Sequence, residues 1–318
     1  MFGESWTMNK PMVFASTQML AELVAGDAGG AFDIVGPWTA PDGHLTPETA
    51  ARISVALSSG MDRFDADQMA QLPALREIVV FGAGQAGIDL ADAERRGIRI
   101  NAAGATHAGD VAEQGVAMIL ALRRQLLMAD DWVRSGRWTK SRLPSTRRLS
   151  GSRVGVVGLG HIGRACAERL EALGCEVSWW GPNPKADAPW PRAASLLDLA
   201  HAAQIVVVAA FAHDGTRHLI GPTEIDALGP DGMLVNLSRG FVVDEDALID
   251  ALKAGRLGQA ALDVFDVEPT PPERWADVPN VLLAPHSAGD TVESLAALRA
   301  RAVREISAAI DRGGEAGG

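Results

Sequence analysis

The fold of this chain is decided by the stretch RVGVVGLGHIGRACAERLEALGCEVSWW, residues 153–180. Its first five residues are almost wholly apolar, which is typical of a parallel-sheet strand buried on both faces. Gly158, Gly160 and Gly163 follow in the spacing G-x-G-x-x-G, and apolar residues then recur at helical intervals. A further glycine ends this helix, and residues 176–180 form a second apolar run. The stretch therefore predicts a strand, a glycine-rich turn, a helix and a second strand.

Each glycine of this turn has a physical role. The first permits a tight turn, the second lets the backbone approach a pyrophosphate, and the third allows close packing of helix on strand. The helix start offers free N–H groups and the positive end of its dipole. The motif alone would fit an unrelated glycine-rich turn, but the flanking strands favour a dinucleotide site. We predict cofactor contacts from Gly158, Gly160, His161, Ile162 and Gly163.

The residues after the second strand bear on the choice of cofactor. An NAD-preferring site usually places Asp or Glu there to bind the ribose 2′-hydroxyl. Residues 179–185 read WWGPNPK and contain no carboxylate. A 2′-phosphate beside Gly181 would therefore meet no like charge, and Asn183 and Lys185 could donate hydrogen bonds to it. The sequence favours NADP(H), with NAD(H) as the alternative.

Apolar runs and helical patterns alternate along the rest of the chain, which indicates βαβ units. Strands are predicted in two series, at residues 12–15, 32–35, 53–57, 78–81 and 98–101, and at 154–157, 176–180, 205–210, 233–237, 261–264 and 281–284. This alternation predicts an α/β fold with two doubly wound parallel-sheet domains. A buried helix at 111–122 would join them, and a helix at 292–310 would return to the first. We place one domain at residues 1–104 and 288–318, and a dinucleotide-binding domain at 105–287.

Composition and charge restrict the function classes. The chain has 318 residues, is 47% apolar and carries a net charge of -11. This acidic balance gives no electrostatic footprint for nucleic acid or an anionic membrane. The sequence has no apolar run of membrane-spanning length and no signal-peptide pattern. Cys166 and Cys175 lack metal-ligand spacing and are interpreted as buried thiols. We expect a cytoplasmic protein with no metal site and no nucleic-acid or membrane partner.

Three polar segments follow the later strands, at the strand ends where open α/β sheets bind ligands. They are NLSRG at residues 236–240, LDVFDVEP at 262–269 and APHSAG at 284–289. Taken singly, each Arg, Asp, Glu or His could be a solvated or structural residue. Together they would bring a guanidinium, carboxylates and an imidazole to one edge of the sheet.

These motifs resemble those of the D-isomer-specific 2-hydroxyacid dehydrogenases, which include glyoxylate/hydroxypyruvate reductases and phosphoglycerate dehydrogenases. The resemblance covers roughly residues 72–291 and includes shorter runs in family order: GAG at 82–84, RGIRIN at 96–101, VAE at 111–113 and DEDAL at 244–248. It implies a Rossmann-type cofactor domain and a flavodoxin-like substrate domain.

The resemblance also implies a reaction, the reduction of a small 2-oxoacid such as glyoxylate or hydroxypyruvate to the D-2-hydroxyacid. His286 matches the general acid, a role that suits an imidazole because it protonates near neutral pH. Glu268 matches the carboxylate that hydrogen-bonds and orients this histidine. Arg239 matches the arginine that binds the substrate carboxylate through paired hydrogen bonds. Asp263 matches a position that contacts the nicotinamide carboxamide, and it could equally cap a turn.

Two loops bear on the substrate. Ala83 and Gly84 resemble a family loop whose backbone N–H groups bind the substrate carboxylate, although an ordinary strand-to-helix turn would look the same. The loop at 58–61, SSGM, lacks the basic residue of phosphoglycerate dehydrogenases and favours an unphosphorylated substrate. The loop at 211–216, FAHDGT, departs from the family's proline–threonine pattern, so no cofactor contact is assigned to it.

Trp132 and Trp138 lie in a polar segment at residues 131–148. In related reductases this segment forms an arm at the dimer interface, where a tryptophan can reach the partner's substrate pocket. The alternative is that both tryptophans anchor a long loop. Together with the apolar helix at 111–122, this arm favours a homodimer.

Two other functions fit the same fold. One is a dehydrogenase for another small acid such as formate or phosphite; Glu268 argues against formate, because formate dehydrogenases carry glutamine at this position. The other is a nucleotide-sensing interaction protein, which the lack of long partner-binding extensions disfavours. The motifs leave open which 2-oxoacid is the substrate, because pocket shape separates such acids by only about 1–3 kcal/mol.

Overall fold

The computed structural model describes residues 10–40 and 42–315. The chain divides into two compact units: unit 1 comprises residues 1–106 and 292–318, and unit 2 comprises residues 107–291. The strands are β1 (Met12–Ala15), β2 (Asp33–Val35), β3 (Ile53–Ser58), β4 (Glu77–Val80), β5 (Arg99–Asn101), β6 (Arg153–Val157), β7 (Glu176–Trp180), β8 (Ile205–Val208), β9 (Met233–Asn236), β10 (Gln259–Leu262) and β11 (Val281–Leu283). The helices are α1 (Gln18–Ala25), α2 (Pro47–Ala50), α3 (Ala66–Ala70), α4 (Leu90–Arg95), α5 (Ala108–Arg123), α6 (Leu126–Arg134), α7 (His161–Ala172), α8 (Leu196–Ala202), α9 (Pro222–Leu228), α10 (Glu245–Lys253) and α11 (Val292–Glu315).

Unit 1 is built on a five-stranded parallel sheet with the order β2-β1-β3-β4-β5. Its strands carry apolar side chains on both faces, and each face is covered by helices. Val13, Val55 and Val79 pack with α1 and α11 on one face. Ile53 and Ile78 pack with α2, α3 and α4 on the other. This strand order is the flavodoxin-like order, as predicted.

Unit 2 contains a six-stranded parallel sheet with the order β11-β10-β9-β8-β6-β7. α5 and α7 cover one face, and α8, α9 and α10 cover the other. The chain runs from β6 outward to β7 and then returns to the opposite side of β6 as β8. Strand order therefore reverses at the carboxyl end of β6, which is the position where doubly wound sheets bind ligands. The predicted fold class, two doubly wound parallel-sheet domains with one Rossmann-type and one flavodoxin-like, is confirmed.

The described residues include no helix that is long and apolar enough to cross a membrane. Within the same ranges, no group of three or more His, Cys, Asp or Glu side chains could hold a metal ion. Cys166 and Cys175 are buried free thiols, as predicted. Burial raises the pKa of Cys166 to about 12, so this thiol does not ionise near neutral pH.

Candidate active site

The glycine-rich turn joins β6 to α7 and leaves room for a ligand at one of its three glycines. Gly158 has a φ of +88°, and a Cβ there would lie 2.6 Å from the Cα of Ala210. A Cβ at Gly163 would lie 1.9 Å from the carbonyl oxygen of Gly158. At Gly160, by contrast, a Cβ would meet nothing within 4 Å. α7 begins at His161 without a side-chain N-cap, so its first N–H groups remain available for an anion. This geometry fits a pyrophosphate.

An arginine side chain fixes the loop after β7 through a hydrogen bond. The guanidinium of Arg192 donates a hydrogen bond to the carbonyl oxygen of Gly181 at 2.7 Å. Gly181 is buried, whereas Asn183 and Lys185 are exposed. The next carboxylate along the chain, Asp187, is bound by an arginine of α7 at 2.6 Å. The loop thus presents a cation and an amide, with no unpaired acid between the end of β7 and Asp187.

Arg239 follows β9, and a polar turn sets its position. The side chain of buried Asn236 accepts a hydrogen bond from the N–H of Ser238 and donates one to the carbonyl oxygen of Arg239, both at 3.1 Å. The guanidinium of Arg239 donates to the carbonyl oxygen of Ser238 at 2.7 Å. Burial lowers the pKa of Arg239, and the nearby charge of Glu268 opposes this shift. Sequence reasoning missed the contributions of Asn236 and Ser238, although short polar side chains after a strand are typical of such turns.

Glu268 and His286 are in direct contact. Nδ1 of His286 lies 2.6 Å from Oε2 of Glu268, and Oε1 of Glu268 accepts the N–H of Phe265 at 2.9 Å. Because an ionised carboxylate only accepts hydrogen bonds, Nδ1 carries the hydrogen of this contact. The two side chains are 30% and 35% exposed, so the pair is partly accessible to solvent and does not lie in the core. His286 has a φ of +52°, a left-handed conformation that is uncommon outside glycine and clusters at functional sites.

Asp263 fixes the loop that carries His286. Its two carboxylate oxygens accept the N–H groups of Ser287 at 3.0 Å and Ala288 at 3.1 Å. The residue is 3% exposed, and burial raises the pKa of Asp263 against the effect of these two donors. Its contact with a nicotinamide carboxamide stays a prediction.

His107, which sequence reasoning missed, lies close to the site. It precedes α5, and a Cβ at Gly289 would lie 3.2 Å from its ring. Its Nδ1 is buried and has no hydrogen-bond partner among the described residues. Burial, together with the positive charges of Arg239 and His286, lowers the pKa of His107. His107 thus lies in the electrostatic surroundings of Arg239 and His286, and a lone histidine in the sequence gave no signal of this.

Ala83 and Gly84 lie in unit 1, just after β4. The neighbouring loop packs closely against them, because a Cβ at Gly60 would lie 1.9 Å from the carbonyl oxygen of Gly84. Gly60 has a φ of +82°, which also favours glycine. The loops after β3 and β4 therefore lie side by side at the carboxyl edge of this sheet.

Comparison with known proteins identifies related sequences and structures. A family model described as D-isomer specific 2-hydroxyacid dehydrogenase, NAD binding domain, matches residues 116–288. A glyoxylate/hydroxypyruvate reductase A from Arabidopsis thaliana is 37% identical over 278 residues, covering 87% of this chain and 89% of the relative. The structure of a 2-hydroxyacid dehydrogenase from Ketogulonicigenium vulgare Y25 superimposes with a TM-score of 0.89 at 37% identity, covering 96% of both chains. An NADPH-dependent glyoxylate/hydroxypyruvate reductase from Sinorhizobium meliloti, in complex with NADP and malonate, gives a TM-score of 0.84 at 29% identity, covering 94% of this chain and 93% of that one.

Proposed function

Because this chain belongs to the D-isomer-specific 2-hydroxyacid dehydrogenase family, we propose that it reduces a small 2-oxoacid to the D-2-hydroxyacid, using a nicotinamide cofactor. The observation that carries this proposal is the 2.6 Å contact between His286 and Glu268, which holds an imidazole ready to give a proton. The relatives named as glyoxylate/hydroxypyruvate reductases support glyoxylate and hydroxypyruvate as the first substrates to test.

The proposed chemistry divides among three side chains. The glycine turn at residues 158–163 and the loop after β7 would hold a reduced nicotinamide cofactor, which would supply the hydride for the carbonyl carbon. His286 donates a proton from Nε2 to the carbonyl oxygen and keeps the hydrogen on Nδ1. Glu268 stabilises the imidazolium before transfer, because a carboxylate in contact favours the charged form. Arg239 binds the substrate carboxylate, and its guanidinium suits that group's planar geometry.

The glycine turn and the loop after β7 would hold the cofactor. Gly160 leaves space for the pyrophosphate, and the first N–H groups of α7 face an anion there. We propose NADP(H) as the preferred form, since Lys185 is exposed and Asp187 is already paired with an arginine. The NADPH-dependent relative from Sinorhizobium meliloti supports this preference.

The test of the proposed function is turnover with purified protein. NADPH and NADH are each supplied with glyoxylate, hydroxypyruvate, pyruvate and phenylpyruvate. Formate is tested separately as a hydride donor, with NADP+ and with NAD+. We expect oxidation of NADPH with at least one 2-oxoacid and a D-configured product. Absence of turnover on every pair, with nucleotide binding intact, would remove the reductase proposal and favour a nucleotide-sensing protein.

Gly181→Asp is expected to shift cofactor preference toward NADH. The new carboxylate would repel a 2′-phosphate, and like charges placed together cost several kcal/mol, so the NADPH/NADH ratio of kcat/KM should fall at least about tenfold. Gly181→Ala is the matched control, because it adds the same Cβ, which would lie 3.3 Å from the ring of Trp179, without adding the charge. A ratio that falls equally in both variants would mean that packing, and not charge, causes the change.

We propose that the chain forms a homodimer through α6 and the arm that follows it. Four large apolar side chains in this region are exposed, namely Leu126, Leu127, Val133 and Trp138. Such a cluster is typical of a protein–protein contact. Trp132 instead holds the arm itself, since its ring N–H donates to the carbonyl oxygen of Ser141 at 3.1 Å.

The double substitution Leu126→Lys and Val133→Lys is expected to convert the dimer to a monomer. These residues are seven apart and lie on one face of α6, so two charges would enter the interface together. The molar mass is measured by size exclusion with light scattering. Met19→Lys, which changes an exposed apolar residue of α1, is the control and should leave the mass unchanged. A wild-type monomer, or a double variant of unchanged mass, would contradict this interface.

A further inference from the structure

Glu245, the first residue of α10, is a buried carboxylate that the proposed mechanism does not use. Its side chain is only 6% exposed. An acidic residue in the first helical turn usually faces solvent, where it interacts with the helix dipole. The N-cap role here already belongs to Asp244, whose side chain accepts the N–H of Ala247. Capping therefore does not explain why Glu245 is buried.

The partners of Glu245 lie in the segment that carries Glu268. Oε1 of Glu245 accepts the N–H of Asp266 at 2.5 Å, and Oε2 accepts the Nε–H of Arg274 at 3.1 Å. Burying a carboxylate is costly unless it is paired and hydrogen-bonded, and these two contacts meet that condition. Both contacts join the start of α10 to the loop after β10.

Two carboxylates bind consecutive N–H groups of this loop. Glu268 accepts the N–H of Phe265 from within the loop, and Glu245 accepts the N–H of Asp266 from outside it. The loop also abuts the turn of Arg239, because a Cβ at Gly240 would lie 1.8 Å from the carbonyl carbon of Phe265. The backbone beside Glu268 is thus in contact with both the Arg239 turn and Glu245.

We propose that Glu245 is a positioning residue for the Glu268–His286 pair. It fixes the loop after β10 so that Oε2 of Glu268 meets Nδ1 of His286. This inference rests on the proposed function. The charged or titratable groups near the pair include Asp263, Arg239, His107, Asp290 and the Asp266–Arg217 ion pair. The side-chain contacts of Glu245 are with the Asp266 N–H and Arg274, and with none of these side chains.

A displaced Glu268 would stabilise the imidazolium of His286 less well. The histidine would then lose its proton at a lower pH, and reduction requires the protonated form. The alkaline limb of the kcat/KM profile for reduction should therefore move to lower pH. A purely structural role for Glu245 would lower thermal stability or the amount of active enzyme without moving this limb.

The test compares Glu245→Ala and Glu245→Gln with the control Asp246→Asn. Asp246 is 86% exposed and binds the same Arg274 at 2.8 Å, so its substitution weakens an ion pair of Arg274 without changing the acceptor of the Asp266 N–H. We expect Glu245→Ala to lower kcat/KM at neutral pH by about 10- to 100-fold, the usual effect of losing a residue that orients a metal-binding histidine. It should also move the alkaline limb to lower pH. Glu245→Gln keeps an acceptor and should fall between Ala and wild type, and it serves as the test if the alanine variant does not fold. Asp246→Asn should stay within about twofold of wild type.

A readout that does not depend on turnover separates this inference from the proposed function. The ring resonances of His286, assigned with a His286 variant, are followed by NMR as the pH is raised. A lower titration midpoint in the Glu245 variants supports the positioning role even if the wild type reduces no 2-oxoacid. An unchanged midpoint, or an unchanged alkaline limb in a variant that has lost activity, would overturn it.

Discussion

His286→Asn is expected to lower kcat for 2-oxoacid reduction by about 10²–10⁴-fold, the usual contribution of a positioned general acid. Asparagine tolerates the left-handed backbone conformation at this position, where φ is +52°. The substitution therefore removes the proton donor with little added backbone strain. Binding of NADPH, measured by the change in its fluorescence, should remain close to that of the wild type, because the glycine turn is untouched.

The control for this variant is His201→Ala, which removes an exposed histidine from α8 in the same unit. It should leave kcat unchanged. A His286→Asn enzyme that keeps more than about a tenth of wild-type kcat would exclude His286 as the general acid, since proton donation is worth more than this. A variant that loses NADPH binding as well would instead indicate a structural role for the loop.

Arg239→Gln is expected to reduce kcat/KM for 2-oxoacids by about 30- to 4,000-fold. Truncating one partner of a buried, hydrogen-bonded charge pair costs about 2–5 kcal/mol, and each 1.4 kcal/mol is about tenfold. KM should rise because the substrate carboxylate loses its partner. The measurement is a full substrate saturation curve at fixed, saturating NADPH.

Arg239→Lys tests whether geometry or charge matters. Lysine keeps the positive charge but cannot form two parallel hydrogen bonds to a carboxylate. It also cannot reproduce the guanidinium contact with the carbonyl oxygen of Ser238. We expect Arg239→Lys to recover only part of the kcat/KM that Arg239→Gln loses. Full activity in the lysine variant would show that the site needs a positive charge but not the paired hydrogen bonds of a guanidinium.

The sequence predicted the sheets well because their strands are buried on both faces. All eleven strands lie where the apolar runs predicted them, with small differences at their ends. The run at 205–210 continues past β8, which ends at Val208. There Ala210 lies against Gly158, and its carbonyl oxygen accepts the hydroxyl hydrogen of Ser238 at 2.6 Å. The backbone at Ala210 has therefore left the strand and contacts residues of the candidate site. The apolar composition of the run does not indicate where the strand ends.

The motifs gave the types of side chain at the candidate site but not the contacts that hold them. Glu268 and His286 were predicted as a pair from family resemblance, and the structure brings them into contact. Glu245 could not be singled out, because an acid in the first turn of a helix is ordinary and its contact with Asp266 spans a long stretch of chain. His107 was missed for the same reason. The contact between His107 and the loop after β11 forms only when this loop packs against the start of α5.

The most direct test of the account is a comparison of glyoxylate with glyoxylamide, which differ only in the carboxylate. The quantity measured is kcat/KM from the loss of NADPH absorbance. The account predicts turnover of glyoxylate and a kcat/KM for the amide that is lower by about 10²-fold or more, because Arg239 would lose its charged partner. Equal rates for the two compounds, or no turnover of glyoxylate or any other 2-oxoacid by protein that binds NADPH, would contradict it.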